Sequence, residues 1–271
     1  MESIRLPTDE EMGAAYDQGK ENPLTQADIE AGLSWLGLEK GHIVEVHSSL
    51  SSFGLVEGGP STVVDALMKV VGKEGALVMS AYPVSKPLPL SEQEKAWGIL
   101  AKVRTYGEEY HGPTGMGVIA DEFCRRPGTV LGPNWHRSCA WGWQAAQLSQ
   151  GYQVLLEMDG WVLLLGVDLT RCSSMHQAEK SPLPPEIARY FELPAEISRQ
   201  YSDDYYLAYG QTPDNAWLKI QATAERQGLI KIGQIGRAAC RFFKARPVVE
   251  LYAEALRTDP WGLYGVIKYN G

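Results

Sequence analysis

The stretch whose reading decides the fold is Trp161-Val162-Leu163-Leu164-Leu165-Gly166-Val167. It runs straight into Asp168 to Glu179, which closes with Ser173-Ser174-Met175-His176-Gln177-Ala178-Glu179. The apolar run is seven residues long, short for a helix, and Gly160 and Gly166 punctuate it. It therefore reads as a fully buried strand. A turn follows, and His176-Gln177-Ala178-Glu179 reads as the start of a helix. Ser173 or Ser174 would cap that helix, its hydroxyl accepting an orphan N–H. His176 and Glu179 are three apart, so on a helix they share a face. A histidine and a carboxylate thus stand beyond the end of a buried strand, where open α/β sheets bind ligands.

Working outward, Ile43-Val44-Glu45-Val46-His47 reads as another strand. The polar run Ser48 to Gly54 follows it. Val63, Val64, Leu67, Val70 and Val71 recur at helical spacing, and Gly72 ends that helix before a strand at Ala76-Leu77-Val78-Met79. This is βαβ, the unit of a parallel sheet with helices on its faces. The expected architecture is one α/β domain over residues 1–271. It has three layers, αβα, with a mixed, largely parallel central sheet. Ahead of it, Thr25 to Asp28 resembles a capping box, with Ile29, Leu33 and Leu36 as the apolar stripe and Gly37 as the stop. Residues 82–113 carry Pro83, Pro87, Pro89 and Pro113. They read as an insertion over one sheet edge, a candidate lid, with a short helix around Gln93–Val103. Further helices are expected at Met116–Arg126, at Ala140–Gln150, from a Thr212 cap to Gly228, and at Pro247–Arg257. Residues 229–236 read as a short strand or turn.

Composition narrows the function classes. Of 271 residues, 44% are hydrophobic and 21% charged, the profile of an ordinary soluble chain. No apolar run approaches the roughly 18 residues of a membrane span. Early acids and the lack of an apolar core in the first thirty residues argue against a signal peptide. Cys124, Cys139, Cys172 and Cys240 are scattered without a CxxC pair, which fits reduced thiols in the cytoplasm. A net charge of −8 argues against nucleic acid and suits a cationic partner.

Four clusters could carry chemistry, and each has a plainer reading. His176 with Glu179 is either a helix-start histidine beside a surface acid or a general base with its companion. Histidine titrates near about pH 6.5, which suits it to take a proton at neutral pH. The spacing lacks the histidine pair of the zincins, so a metal is not expected. His47 to Gly54 is either a polar strand exit or a cradle of hydroxyls and amides, and it is not a Walker A loop. His136-Arg137-Ser138-Cys139 leads toward an expected helix. Arg125, Arg126 and Arg137 are either solvated or available to phosphate. Asp203 and Asp204, among Tyr201, Tyr205, Tyr206 and Tyr209, are either a solvated turn or acids suited to a polyamine or sugar.

Together these blocks resemble one family. Val46-His47-Ser48-Ser49-Leu50-Ser51-Ser52-Phe53-Gly54 is similar to its VHSSLSSxG signature. Met116 to Gly128 is similar to its MGxLxExFRxxPG block, and His136–Gly142 matches HPxxSFAAxG in part. Leu163 to Val167 with Ser174 to Glu179 is similar to LLLGV…TSLHLAE. This is the aminoglycoside 3-N-acetyltransferase family, distinct from the GNAT acetyltransferases, and the resemblance spans about residues 25–257.

The resemblance implies acetyl transfer from acetyl-CoA to the 3-amino group of the 2-deoxystreptamine ring of aminoglycosides, conferring resistance. It implies direct transfer with no metal. His176 would be the general base and Glu179 its companion or an antibiotic contact. Ser173 and Ser174 would lie beside the thioester. His47, Ser48, Ser49, Leu50 and Ser51 would hold the CoA arm. Asp203 and Asp204 would fall in the region from which the family draws a further acid. The antibiotic pocket is expected to be acidic, drawing on Glu179, on Asp203 or Asp204, and on Glu108 or Glu109 from the insertion. Trp97, Tyr106, Tyr110 and Trp135 are further aromatics for that region. Two departures stand out. Leu131 to Trp135 replace the family's Arg-Ser, and Ser149 to Gly160 is short and lacks its Pro-bearing loop. Competing readings are acetylation of a different amine, a CoA-binding module without catalysis, and thiol chemistry at Cys172 or Cys139. No nucleic acid or membrane partner is expected, and the protein would be a cytoplasmic monomer or homodimer.

Overall fold

The computed structural model describes residues 23–84, 88–104, 110–133, 136–180, 183–189, 192–209 and 212–265. Helix α1 (Gln26–Leu36) begins as its sequence dictates. Thr25 N–H donates to Asp28 Oδ2 at 2.9 Å, and the Thr25 hydroxyl accepts from Asp28 N–H, closing the capping box. Ile29, Leu33 and Leu36 are buried, and Gly37 ends the helix at φ 97°. Strand β1 (Ile43–Ser48), a 3-10 turn (Leu50–Phe53), helix α2 (Pro60–Val71) and strand β2 (Ala76–Ser80) complete the expected βαβ unit.

The remaining strands are β3 (Ile99–Arg104), β4 (Val130–Leu131), β5 (Ser138–Gly142), β6 (Trp161–Leu165), β7 (Tyr205–Tyr209), β8 (Ile230–Ile235) and β9 (Ala238–Lys244). Seven of them form one sheet in the order β4-β5-β2-β1-β6-β9-β8. β1 runs parallel to β2 and to β6, and the flanking pairs are antiparallel. The centre is therefore a three-strand parallel unit with antiparallel wings.

The longer helices α3 (Val118–Cys124), α4 (Tyr152–Glu157), α5 (Asp214–Arg226) and α6 (Ala245–Thr258) complete the layers. Side chains alternate across a strand, so a strand buried on both faces reads as continuously apolar. Val44, Val46, Leu77, Met79, Leu163 and Leu165 pack on one face with α1, α2 and α3. Val78, Val162, Leu164 and Phe243 pack on the other with α4, α5 and α6. The Glu45 and His47 side chains alternate onto that second face, where they meet the segment after β6.

Three local expectations give way to tertiary pairing. The helix expected at Ala140–Gln150 is strand β5 followed by one turn at Ala145–Leu148. β5 satisfies the free edge of β2, with Leu77 opposite Trp141. Gly142 sits at φ 93°, and a Cβ there would lie 2.2 Å from Gly75 O, so the chain turns away. The helix expected at Gln93–Val103 lasts only from Glu92 to Ala96. Gly98, at φ 79°, then leads into β3, which pairs with β7 in a separate two-stranded sheet. That pairing ties the 82–113 insertion to the tyrosine-rich segment. Finally, α5 starts at Asp214 without a side-chain cap from Thr212, whose hydroxyl is used elsewhere.

Leu163 and Leu164 are both fully buried but face opposite clusters. Leu163→Ala and Leu164→Ala are each expected to cost about 2–5 kcal/mol of stability. Urea unfolding of the two variants checks this; a nearly neutral effect at either position would mean that face of the sheet is not sealed.

Candidate active site

β1 and β6 finish level, with Ser48 opposite Leu165. Their exits stay in contact: Ser49 N–H donates to Leu165 O at 2.9 Å, and Ser52 Oγ donates to Gly166 O at 3.0 Å. Gly166 has φ 70°, and a Cβ there would meet Ser52 Cβ at 2.3 Å. Only glycine allows this approach.

After a short turn the chain forms a 3-10 run, Ser173–Lys180, where an α-helix was expected. Its start is pinned to β1. Ser173 N–H donates to His47 Nε2 at 3.2 Å, and Ser174 N–H donates to Glu45 Oε1 at 3.0 Å. Strand side chains thus do the capping that the serine hydroxyls were expected to do. Ser173 Oγ instead joins Ser80 Oγ at 2.8 Å and accepts from Tyr82 OH at 3.3 Å. Ser174 Oγ lies 3.2 Å from Cys172 Sγ.

The 3-10 geometry eclipses residues i and i+3. It brings His176 Nδ1 to 2.7 Å from Glu179 Oε2. The other oxygen, Oε1, accepts from Thr212 Oγ1 at 2.8 Å and from Tyr252 OH at 2.9 Å. Burial pushes the Glu179 carboxyl up, but the hydrogen bonds from His176, Thr212 and Tyr252 outweigh it and hold the group below the usual glutamate range. Burial, with the Glu179 charge, pushes the Tyr252 phenol far up, so it stays a donor. Trp217 meets the His176 ring edge-on, with centroids 4.8 Å apart. With Nδ1–H given to Glu179, His176 presents a bare Nε2 that has no hydrogen-bond partner among the described residues. A histidine oriented by a carboxylate, with its second nitrogen open, is the arrangement of a general base.

Two cavities meet at this place. The larger, of about 1280 Å³, is lined by His176, Glu179 and Trp217, with Tyr82, His136 and Tyr206 among its walls. The smaller, of about 810 Å³, is lined by His47, Ser48, Ser49, Leu50 and Ser51, with Met79 and Ser80. Gly115, Met116 and Arg171 line both. Ser80 faces the smaller cavity and Ser173 the larger, and their hydrogen-bonded hydroxyls belong to the wall between the two. In the larger cavity His136 packs edge-on between Tyr82 and Tyr206, at 5.2 and 5.3 Å. Burial and the neighbouring His176 hold the His136 imidazole below its ordinary range, so it stays neutral.

The five residues expected to hold a CoA arm therefore line one cavity, while His176, Glu179 and Ser173 line the other. Ser174 is fully buried and lines neither. Asp203 and Asp204 are exposed in the turn before β7 and line neither. Glu108, Glu109, Tyr106 and Trp135 lie outside the described residues. Among the described lining, the carboxylates Glu179 and Asp214 are matched by Arg171 and Lys180. Cys172 and Cys139 are buried and line neither cavity, so neither is placed as a nucleophile, and burial also pushes the Cys172 thiol well up. Among the described residues no three histidine, cysteine or acidic side chains converge as a metal site requires, and no helix is long and apolar enough to cross a membrane.

Thr212, Tyr252, Trp217 and Glu45 were not foreseen as parts of the site. Thr212 and Tyr252 stand 33 and 73 residues from Glu179, beyond any local spacing rule. Glu45 did leave a signal: it is a charge in the middle of a strand whose neighbours are all apolar.

The family model for aminoglycoside 3-N-acetyltransferase matches residues 46–257. The chain belongs to that family. It is 30% identical over 254 residues to the SPbeta prophage-derived aminoglycoside N(3')-acetyltransferase-like protein YokD of Bacillus subtilis strain 168, covering 84% of this chain and 90% of the relative. It is 26% identical to aminoglycoside N(3)-acetyltransferase VII of Streptomyces paromomycinus, covering 85% and 90%. The crystal structure of YokD superposes with a TM-score of 0.66 at 27% identity, covering 88% of this chain and 96% of that one. A variant of AAC(3)-IVa in complex with a gentamicin shares the fold at TM-score 0.70 and 22% identity, covering 90% and 92%.

Glu179 gives a testable pH dependence. Its carboxyl titrates lower in the fold than the ordinary value of 4.5. The stability it adds is therefore complete above that pH and is lost as pH falls through the lowered folded value. Removing a donor in Tyr252→Phe or Thr212→Val should raise the Glu179 value and move the acid loss to higher pH. A carbon NMR titration of the Glu179 carboxyl, run beside stability against pH, checks this. An unmoved titration in both variants would show that these hydroxyls do not hold the carboxylate.

Proposed function

We propose that this protein transfers the acetyl group of acetyl-CoA to the 3-amino group of the 2-deoxystreptamine ring of an aminoglycoside, with His176 as general base. The observation that carries this reading is the His176–Glu179 pair. Its open Nε2 lies in a cavity that adjoins a second, hydroxyl-rimmed one. Direct transfer needs donor and acceptor held at once, and two adjoining cavities meet that need. Membership of the family and the names of its relatives support the reading. So does the sharing of this fold with AAC-IIIb bound to CoASH.

Each residue has a role in that chemistry. His47, Ser48, Ser49, Leu50 and Ser51 line the path of the CoA arm, and Ser173 stands at the wall between the two cavities. Ser174 holds the turn from beneath. The acceptor amine must be neutral to attack. As its nitrogen bonds to the acetyl carbon, its proton passes to His176 Nε2. Glu179, kept ionised by its three donors, stabilises the imidazolium that forms. The C–S bond then breaks, and the CoA thiolate leaves and takes up a proton. Glu179 and Asp214 offer carboxylates to ammonium groups of the acceptor. Asp203 and Asp204 would serve only an acceptor that extends past the cavity rim.

One observation favours a second reading, in which the acceptor is an amine of lower charge. The carboxylates of the larger cavity are matched by Arg171 and Lys180 among the described residues, and its walls are aromatic. A thiol-release assay with acetyl-CoA against both aminoglycosides and singly charged amines separates the two. Turnover with aminoglycosides supports the first reading; turnover with monoamines alone replaces it by the second.

His176→Ala is expected to bind both ligands and lose about 10²–10⁴-fold in turnover. The deficit should shrink as pH rises, because the acceptor amine then loses its proton unaided. Glu179→Gln should cost less, and the double variant less than the product of the two, because the pair acts as a unit. Turnover and melting temperature measured on one preparation decide the matter. Near-normal turnover in folded His176→Ala removes His176 from the mechanism.

A further inference from the structure

Gly115, Met116 and Arg171 line both cavities, and Arg171 is the charged residue among them. It ends the 3-10 turn Leu169–Arg171 and is exposed. The nearest acid along the chain, Asp168, is engaged within that turn: its Oδ1 accepts from Thr170 N–H at 3.0 Å and from the Thr170 hydroxyl. Among the described residues the Arg171 guanidinium has no hydrogen bond or ion pair. Arg126 and Arg241, by contrast, are each paired with carboxylates.

The two cavities meet that charge in opposite ways. In the smaller one, Arg171 is the only residue of fixed charge among the described lining, which otherwise holds hydroxyls, apolar side chains and His47. CoA brings a diphosphate and a further phosphate to a chain whose net charge is −8, so a cation on that wall is where an anionic group of CoA is best met. A guanidinium suits the task, because it offers phosphate two parallel N–H donors. In the larger cavity the same guanidinium opposes a polycation. Glu179 already serves His176, Thr212 and Tyr252 there, which leaves Asp214 against Arg171 and Lys180. With Arg171 covered by an anion, that balance turns in favour of an ammonium group.

We propose that Arg171 couples the two binding steps: a phosphate group of CoA pairs with its guanidinium, and the larger cavity then holds a polycationic amine more tightly than it does in the free protein. The inference rests on the acetyl-CoA and aminoglycoside reading above. Coupling between two binding equilibria is reciprocal, so the acceptor tightens CoA by the same factor. It is also electrostatic here, so it fades as salt screens charges beyond roughly 10 Å at 0.1 M.

Calorimetry of the whole protein with gentamicin and CoASH, a pair that gives no turnover, tests this. At low salt CoASH should tighten gentamicin about 5-fold or more, the lower end of ordinary coupling between sites, and gentamicin should tighten CoASH equally. Pantetheine, which has the arm without the phosphates, should tighten gentamicin little. Arg171→Gln should bind gentamicin alone more tightly than the wild type, bind CoASH more weakly and lose the coupling. Arg171→Lys keeps the charge and should keep most of the coupling. Arg171 is exposed, so both variants should fold, and their melting temperatures check that. Undiminished coupling in folded Arg171→Gln overturns the inference, and so does pantetheine acting as strongly as CoASH, a comparison made on the wild type alone. Gentamicin and CoASH that each bind without coupling overturn this inference only, whereas a protein that binds neither overturns the proposed function with it.

Discussion

A buried side chain in the middle of the central strand holds the reactive turn in place. Glu45 and His47 point from β1 toward the Ser173–Lys180 run and take its first two N–H groups. Buried backbone donors cost free energy when left unmet, so these contacts fix where the turn starts and how tightly it winds. A turn begun one residue later would carry His176 and Glu179 away from the larger cavity. The 3-10 winding that follows then sets the 2.7 Å contact between them.

The sheet supplies the frame for that interaction. Parallel pairing of β1 with β6 puts both exits at one edge, and Gly166 lets them stay in contact. β2 reaches the same edge and contributes Ser80, which joins the hydroxyl chain Tyr152–Ser80–Ser173. The two cavities lie on either side of that chain. The positions of donor and acceptor therefore follow from strand register, which the alternating apolar faces of β6 hold firmly.

Glu179 illustrates how the protein keeps a partly buried charge. Burial alone would favour its neutral form. Three donors from three separate segments reverse that preference, and an ionised partner is what an oriented His176 requires. Tyr252 comes from α6 and Thr212 from the residues before α5, so the packing of the helical layer is wired into the site. Loss of that packing would reach His176 without touching it. The aromatic walls around His136 and Trp217 point the same way, since their shape depends on β7 and α5 being seated.

The sequence by itself determined the elements whose signals are local. The apolar run reads as a strand sealed on both faces, and its first five residues, Trp161–Leu165, form one, while the Thr25–Asp28 box opens a helix. The spacing of His176 and Glu179 held because i and i+3 meet in either helical form. The hydroxyl-rich exit of β1 was legible for the same reason: residues adjacent in sequence stay adjacent in space. Tertiary structure decided everything that depended on pairing across distance. Ala140 and Trp141 became strand because the edge of β2 needed a partner. Residues 99–104 became strand because β7 offered one. Thr212 left its capping role for Glu179, and Glu45 became the anchor of a turn 129 residues away. Hydrogen-bond demand at a buried edge or carboxylate is met by whichever group the fold brings near, and no spacing rule along the chain encodes which one that will be.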